Sequence, residues 1–331
     1  MTDLHIQIIS PIQLFYHCPL VIAGVWRELA GFCVEPAGNQ HHSAGLGHAV
    51  LAAGRCCAAL AQVTKGVTVA LWVRFESGGI AGFGQLDGEL IAVFEGDMFD
   101  QPTPTGQTLR VGDVSLTLPC QPSKLIGLWN NYHAQAAKQG LGIPAEPLYF
   151  LKPPSSYCAH EQPFSVPASY DGRVVYEGEL GLVIGKPCKN AHTAQASSAI
   201  FGVTCVNDVT ALDLLTRDAS FAQWTRAKGF DTFGIFGPVI ATGLDWQLLV
   251  VRTLVNGRER QNYPCSDMIF SPAEIVSSLS REMTLLPGDV IACGTSVGVL
   301  PIKPGTVVEV CIHGVGVLRN TFAPHITRAA A

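Results

Sequence analysis

From Trp72 onward, apolar and polar positions alternate in short runs separated by glycines and prolines, the period-two signature of half-buried strands. Val73-Arg74-Phe75 runs into a Gly78-Gly79 turn. Ile80 to Leu86 reads as its hairpin partner, and Glu89 to Phe94 as a third strand. Thr103 to Thr105 reads as a turn and Val114 to Leu118 as a further strand, which together outline a small β domain over 70–122. Asn131 to Gln139 is Ala-rich and stops at Gly140, so a short helix is expected there. Pro144, Pro147, Pro153 and Pro154 follow with Phe150 between them. This makes 123–154 a lid helix followed by a rigid, extended, Pro-rich linker.

Strand patterns dominate 155–323. They cover Val174 to Ile184, Ile200 to Val206, Val239 to Thr242, Leu248 to Val255, Val290 to Cys293, Val307 to Ile312 and Val315 to Asn320. One helix is expected over Ala211 to Asp218. Another follows Ser271-Pro272, with Ser271 as N-cap, Pro272 at N1 and Glu274 at N3. There is no β–α–β alternation and no G-x-G-x-x-G, which excludes a nucleotide-binding doubly wound sheet. The chain therefore reads as mainly β with short helices.

Residues 1–69 do not share this pattern. Ionised residues are sparse and histidines frequent, and only Ala49 to Val63 suggests a helix, short and Ala-rich. His41-His42 has no repeated ligand spacing around it and reads as an ordinary surface pair. The stretch is expected to be either a poorly ordered extension or residues upstream of a natural start near Val69. Residues 324–331 read as a tail.

Composition narrows the function classes. The chain has 331 residues, is 48% hydrophobic and only 14% charged, enough for a sizeable core. A net charge of -5 without a basic stripe argues against nucleic acid. No apolar run approaches the roughly 18 residues of a membrane span, and Asp3 replaces the basic start of a secretory signal. The eleven cysteines lack any C-x-x-C pair and read as reduced thiols of a cytoplasmic protein.

The candidate chemistry lies in Tyr176-Glu177-Gly178-Glu179-Leu180. On a strand, Glu177 and Glu179 share one face while Leu180, Leu182 and Ile184 take the other. Two carboxylates in a β core repel, and a cation between them removes the conflict. An oxygen-only donor set favours magnesium, manganese or calcium over zinc. Asp208, at the end of the next strand, is positioned either to join them or to cap the following helix.

These residues resemble a known family. Tyr176 to Lys186, Gly202 to Thr210, Trp224 to Phe233, Ser266 to Phe270, Leu286 to Thr295 and Gly314 to Asn320 are together similar to the fumarylacetoacetate hydrolase superfamily, over about 70–322. The resemblance implies a mixed β-roll catalytic domain behind a small β domain, usually in a homodimer. It implies Mg2+ or Mn2+ held by Glu177, Glu179 and Asp208, chelating a 2-oxo acid or 1,3-dicarbonyl and stabilising its enolate. Lys228 would help hold charge beside the carboxylates. Thr232 would follow on the same loop, and Gly294 and Thr295 would line the substrate pocket with Tyr132.

The chain departs from the family in two places. Many members carry Asn-Tyr-x-x-His-x-x-Glu, whose His-Glu pair handles the attacking water. Here Asn131-Tyr132 aligns, but Gln135 and Lys138 stand at the His and Glu positions, and His133 falls two residues early, on another helix face. The Arg and Gln that often hold a substrate carboxylate are Leu212 and Leu215. An apolar pair leaves a distal carboxylate unpaired, so a less charged substrate is expected. General-base assistance is worth roughly 10²- to 10⁴-fold. Its loss shifts the expectation from C–C hydrolysis towards isomerisation or decarboxylation of small 2-oxo or 2-hydroxydienoic acids from aromatic or amino-acid breakdown, with Lys228, Gln135 and Lys138 as candidate catalytic residues: Lys228 to hold charge, Gln135 to orient a water or substrate oxygen, and Lys138 or His133 to relay protons. The alternative is a catalytically weak paralogue that binds an oxo acid or a partner subunit.

Overall fold

The computed structural model describes residues 68–324. The helix expected over 49–63, the His41-His42 pair and residues 325–331 lie outside the described residues.

The N-terminal strands β1 (Ala70–Ser77), β2 (Ile80–Asp87), β3 (Leu90–Asp97) and β4 (Asp100–Arg110) pair in order as an antiparallel meander, and β5 (Ser115–Leu116) returns along β1. Next come β6 (Leu125–Trp129), α1 (His133–Gln139), β7 (Leu148–Lys152), β8 (Tyr157–Cys158), β9 (Val174–Val175) and β10 (Gly178–Ile184). The middle of the chain holds α2 (Thr193–Ala199), β11 (Ile200–Asp208), β12 (Thr210–Ala211), α3 (Leu212–Leu215), α4 (Trp224–Lys228) and β13 (Gly234–Thr242). The remainder is β14 (Val250–Val255), β15 (Arg258–Pro264), α5 (Pro272–Glu282), β16 (Val290–Ala292), β17 (Pro301–Ile302), β18 (Val307–Ile312) and β19 (Gly316–Thr321).

One large mixed sheet organises these strands in the order β4-β3-β2-β1-β13-β11-β10-β16-β6-β7. The meander is continuous with it, because β1 pairs antiparallel with β13. β16 and β6 pair in parallel, and the other neighbours along this path are antiparallel. A second sheet, β15-β14-β18-β19, carries the alternating buried and half-buried residues of β18. Every residue of β10 is buried, so this strand is covered on both faces and its sequence is a near-continuous apolar run broken only by Glu179 and glycines. The chain is thus mainly β with short helices, as its patterning predicts. α5 has the expected cap, with the Ser271 hydroxyl and the Glu274 carboxylate reciprocally bonding each other's backbone N–H. No helix among the described residues is long and apolar enough to cross a membrane.

Four local expectations change. The turn expected at Thr103 to Thr105 lies inside β4, an edge strand, where Pro102 and Pro104 cost no interior ladder bond. The Pro-rich linker contains β7, which extends the main sheet beyond β6. The single strand expected from Val174 to Ile184 is broken at Tyr176-Glu177 into β9 and β10, which belong to different sheets. The helix expected over Ala211 to Asp218 shrinks to the four residues of α3.

His160 makes a pH-sensitive joint between the segment before β9 and β19. It is 9% exposed and its Nδ1 accepts the backbone N–H of Arg319 at 3.1 Å. Burial lowers its pKa, with Arg319 adding to the effect and Glu161 opposing it. A histidine with a lowered folded pKa stabilises the fold above the ordinary value of 6.5, and that stability is lost as pH falls towards the folded pKa. The unfolding midpoint should therefore drop as pH is taken below 6.5, and drop less in His160→Gln; equal slopes in differential scanning fluorimetry would contradict this assignment.

Candidate metal centre

Antiparallel pairing of β10 with β11 sets Gly178 opposite Asn207, and the Asp208 N–H donates to the Glu177 carbonyl at 2.8 Å. This register brings carboxylate oxygens of Glu177, Glu179 and Asp208 within 4.8 Å of one another. Asp208 caps no helix; its two oxygens are taken by two buried ammonium groups. Lys152, from the inner end of β7, bonds Oδ1, and Lys228, from α4, bonds Oδ2 at 2.6 Å and also Glu177. Both lysines are essentially buried, and Lys152 also donates to the Val209 carbonyl at 3.2 Å. The Lys228 Nζ lies 4.9 Å from the centre of the Phe150 ring, on which Trp224 stacks. Trp224 and Lys228 are one turn apart on α4, so the same helix face anchors the aromatic stack and aims the ammonium.

The electrostatics are uneven. Burial acts to raise the Asp208 pKa, but Lys152 and Lys228 outweigh it and hold the group below the usual carboxylate value. Burial would lower Lys228, but Asp208, Glu177 and Glu179 raise it overall. Burial lowers Lys152, with Asp208 opposing. Glu177, with its side chain 17% exposed, is pushed up by burial despite its bond to Lys228.

Glu179 is the outlier. It is 1% exposed and accepts one N–H, from Gly294 at 2.8 Å, and among the described residues no ammonium or guanidinium contacts it. Burial, then Asp208 and Glu177, drive its pKa well above the carboxylate range. A buried carboxylate aimed at two others, with no cation of its own, fits a hard divalent ion bound by oxygen donors.

The other expected site residues divide into two groups. Gly294 lies behind Glu179, and its φ of +88 is what turns its N–H towards that carboxylate. Thr295 donates its hydroxyl to the Gly178 carbonyl at 3.1 Å, so it holds the backbone between the two glutamates. Tyr132 is fully buried and edge-on to Tyr263, with its hydroxyl beside the Cys265 thiol. Thr232 sits at a φ of 68, rare for a β-branched residue, and its hydroxyl accepts from Ser165 N–H and donates to the Asp231 carbonyl. Gln135 is half-buried on α1 with its amide oxygen unpartnered, while Lys138 and His133 are exposed on the same helix. No hydrogen bond among the described residues joins Gln135 or Lys138 to the carboxylates.

Sequence reading missed two participants. Lys152 is the one charged residue in Leu148 to Lys152, and it faces inward with Phe150; that lone inward lysine was the available signal. Gln261, on β15, was hidden in a polar stretch. The Ser266 to Phe270 motif proves to be a scaffold: Asp267 accepts the Ala134 N–H at the start of α1, and Asn131 accepts the Phe270 N–H while donating to the Cys293 carbonyl.

Residues 124–323 match the fumarylacetoacetate (FAA) hydrolase C-terminal family, and residues 71–119 match the Rv2993c-like N-terminal family. The chain belongs to the fumarylacetoacetate hydrolase family. Within it, this member is 43% identical to protein Rv2993c of Mycobacterium tuberculosis over 225 residues, 67% of this chain and 83% of that one. It is 38% identical to the crystallised 2-hydroxyhepta-2,4-diene-1,7-dioate isomerase from Mycobacterium marinum, with a TM-score of 0.71 over 77% of this chain and 99% of the other. The fumarylacetoacetate hydrolase of psychrophilic Exiguobacterium antarcticum shares 30% identity and a TM-score of 0.67, covering 77% and 100% of the two chains.

Proposed function

We propose that this family enzyme is divalent-cation-dependent and acts on small 2-oxo or 2-hydroxydienoic acids bearing a single carboxylate, by isomerisation in preference to C–C hydrolysis. The observation that carries the reading is Glu179, a buried carboxylate without a cation beside two others. Glu177, Glu179 and Asp208 would hold Mg2+ or Mn2+, with Ca2+ also admissible on donor type. When bound, the cation supplies Lewis-acid polarisation of the substrate carbonyl.

The protein's own residues set the rest. Ionised, the three carboxylates outnumber the Lys152 and Lys228 ammonium groups by one. A divalent ion turns that surplus into one positive charge, which one substrate carboxylate neutralises. Lys228, held between Glu177 and Asp208, keeps its proton and acts as a fixed positive charge, not as a base. Leu212 and Leu215 are half-buried, and nearby Arg173 is paired with Asp213, at 2.5 and 2.8 Å. A second carboxylate placed against Leu212 and Leu215 would meet apolar side chains. Hydrolysis is disfavoured by α1, which exposes Lys138 and His133 and offers only the Gln135 amide in place of a His-Glu pair. A homodimer is part of the proposal: β7 ends the main sheet and exposes Leu148, Tyr149 and Leu151, an edge suited to cover by a second copy.

The test is turnover of acylpyruvates, oxaloacetate and 2-hydroxydienoates with Mg2+, Mn2+ or chelator. We expect cation-dependent turnover that favours monocarboxylates over matched dicarboxylates. A stronger reaction with dicarboxylates would overturn the substrate assignment, and tight cation binding without turnover would favour a binding paralogue.

A further inference from the structure

Gly178 separates the two glutamates, and three side chains grip its peptide groups. The Gly178 N–H donates to the Gln261 Oε1 at 3.0 Å. Its carbonyl accepts from the Tyr263 hydroxyl at 2.5 Å and from the Thr295 hydroxyl at 3.1 Å. Gln261 also closes the circuit, because its Nε2 donates to the Thr295 Oγ1 at 2.8 Å and to the Ser296 carbonyl at 3.2 Å. Gln261 is 1% exposed, so these bonds form away from water and its amide is held in one orientation.

The arrangement crosses between sheets. Gln261 and Tyr263 are the inward residues of β15, in the second sheet, whereas Gly178 opens β10 in the main sheet. Thr295 and Ser296 follow Gly294, whose N–H holds the Glu179 carboxylate. One amide therefore ties together the backbone that carries Glu177 and Glu179 and the loop that orients Glu179. Glu177 lies in the break between β9 and β10, where no regular ladder sets its position. Its remaining backbone support comes from the Asn207 side chain and the Asp208 N–H.

We infer that Gln261 is the positioning residue of the carboxylate pair, fixing the spacing of Glu177 and Glu179 from beneath through Gly178 and Thr295. The inference rests on the divalent-cation reading above. Groups that orient metal-binding side chains are worth about 10- to 100-fold in metal affinity.

The experiment is a Mn2+ titration of chelator-treated full-length protein by calorimetry and electron paramagnetic resonance, comparing the parent, Gln261→Met and Ser277→Ala. Ser277 is a buried hydroxyl on α5 that bonds the Ala191 carbonyl, and it serves as the control for a purely structural loss. We expect Gln261→Met to raise the Mn2+ Kd at least about tenfold and to alter the bound-ion spectrum, while Ser277→Ala loses thermal stability but keeps both. Parent-like Kd and spectrum in Gln261→Met would overturn the inference. Absence of Mn2+ binding in the parent would instead remove the cation reading on which it rests. Should Gln261→Met not fold, Thr295→Val, which deletes one of the bonds Gln261 makes, decides by the same two readouts.

Discussion

Glu179→Gln abolishes tight cation binding yet leaves the metal-free protein at least as stable as the parent. Both halves follow from one arrangement. The Glu179 carboxylate is buried, accepts the Gly294 N–H, and has its pKa driven up by burial and by Asp208 and Glu177. A carboxyl group raised in the folded state favours the fold at low pH, and that contribution is lost as pH rises from the ordinary 4.5 through the folded pKa. At neutral pH the ionised form is thus a cost to the metal-free fold. Glutamine keeps the shape and the acceptor for Gly294 but removes the charge. The Mn2+ Kd should rise at least about 100-fold, or about 2.8 kcal/mol, while the metal-free unfolding midpoint holds or increases. Calorimetric titration and thermal unfolding check the two halves separately. Parent-like affinity in the variant would show that Glu179 is not a ligand.

Gly178→Ala should damage fold and site together. A Cβ at this position lands 2.0 Å from the Thr253 Oγ1 and 3.2 Å from the Gln261 Oε1. Thr253 is fully buried on β14, so the two sheets must part locally. Overpacking of this kind costs up to about 3 kcal/mol. For a domain of this size, that lowers the unfolding midpoint by about 6–12 °C, and the carboxylate pair moves with its backbone. The Thr253 hydroxyl has no hydrogen-bond partner among the described residues, so Thr253→Ala removes the obstacle cheaply. The double variant Gly178→Ala/Thr253→Ala should regain at least half of the lost midpoint. A single Gly178→Ala protein as stable as the parent would contradict the packing described.

The carboxylate triad was legible in the sequence because its signals are local: two glutamates two apart in an apolar run, then an aspartate ending the next run. Their meeting, however, does not depend on one continuous strand. Glu177 stands in the break between β9 and β10, which apolar periodicity cannot register because Val174 to Ile184 is apolar on both sides of it. Lys152 escaped notice because prolines flank β7 on both sides and a five-residue strand has little period to read. β15 escaped because its inward positions are Gln261 and Tyr263 among charged neighbours, so polarity masks the alternation. Gln261 faces inward for a hydrogen-bonding reason, and no hydrophobic pattern can report that. The turn read at Thr103 to Thr105 has the converse cause: this edge strand tolerates Pro102 and Pro104, and edge position is a tertiary property. The substitutions at Gln135, Lys138, Leu212 and Leu215 could be read directly, since they are departures from a recognisable motif. Where those side chains lie relative to the triad could not.

The central claim is that Glu177, Glu179 and Asp208 hold a divalent cation. The most direct measurement is a calorimetric Mn2+ titration of chelator-treated protein, with Mg2+ competition and thermal unfolding in parallel. The account predicts saturable binding at one site per chain, displaced by Mg2+, with the unfolding midpoint rising as the site fills. Chelator-treated protein that takes up no Mn2+, and whose unfolding midpoint is indifferent to both ions, would contradict it.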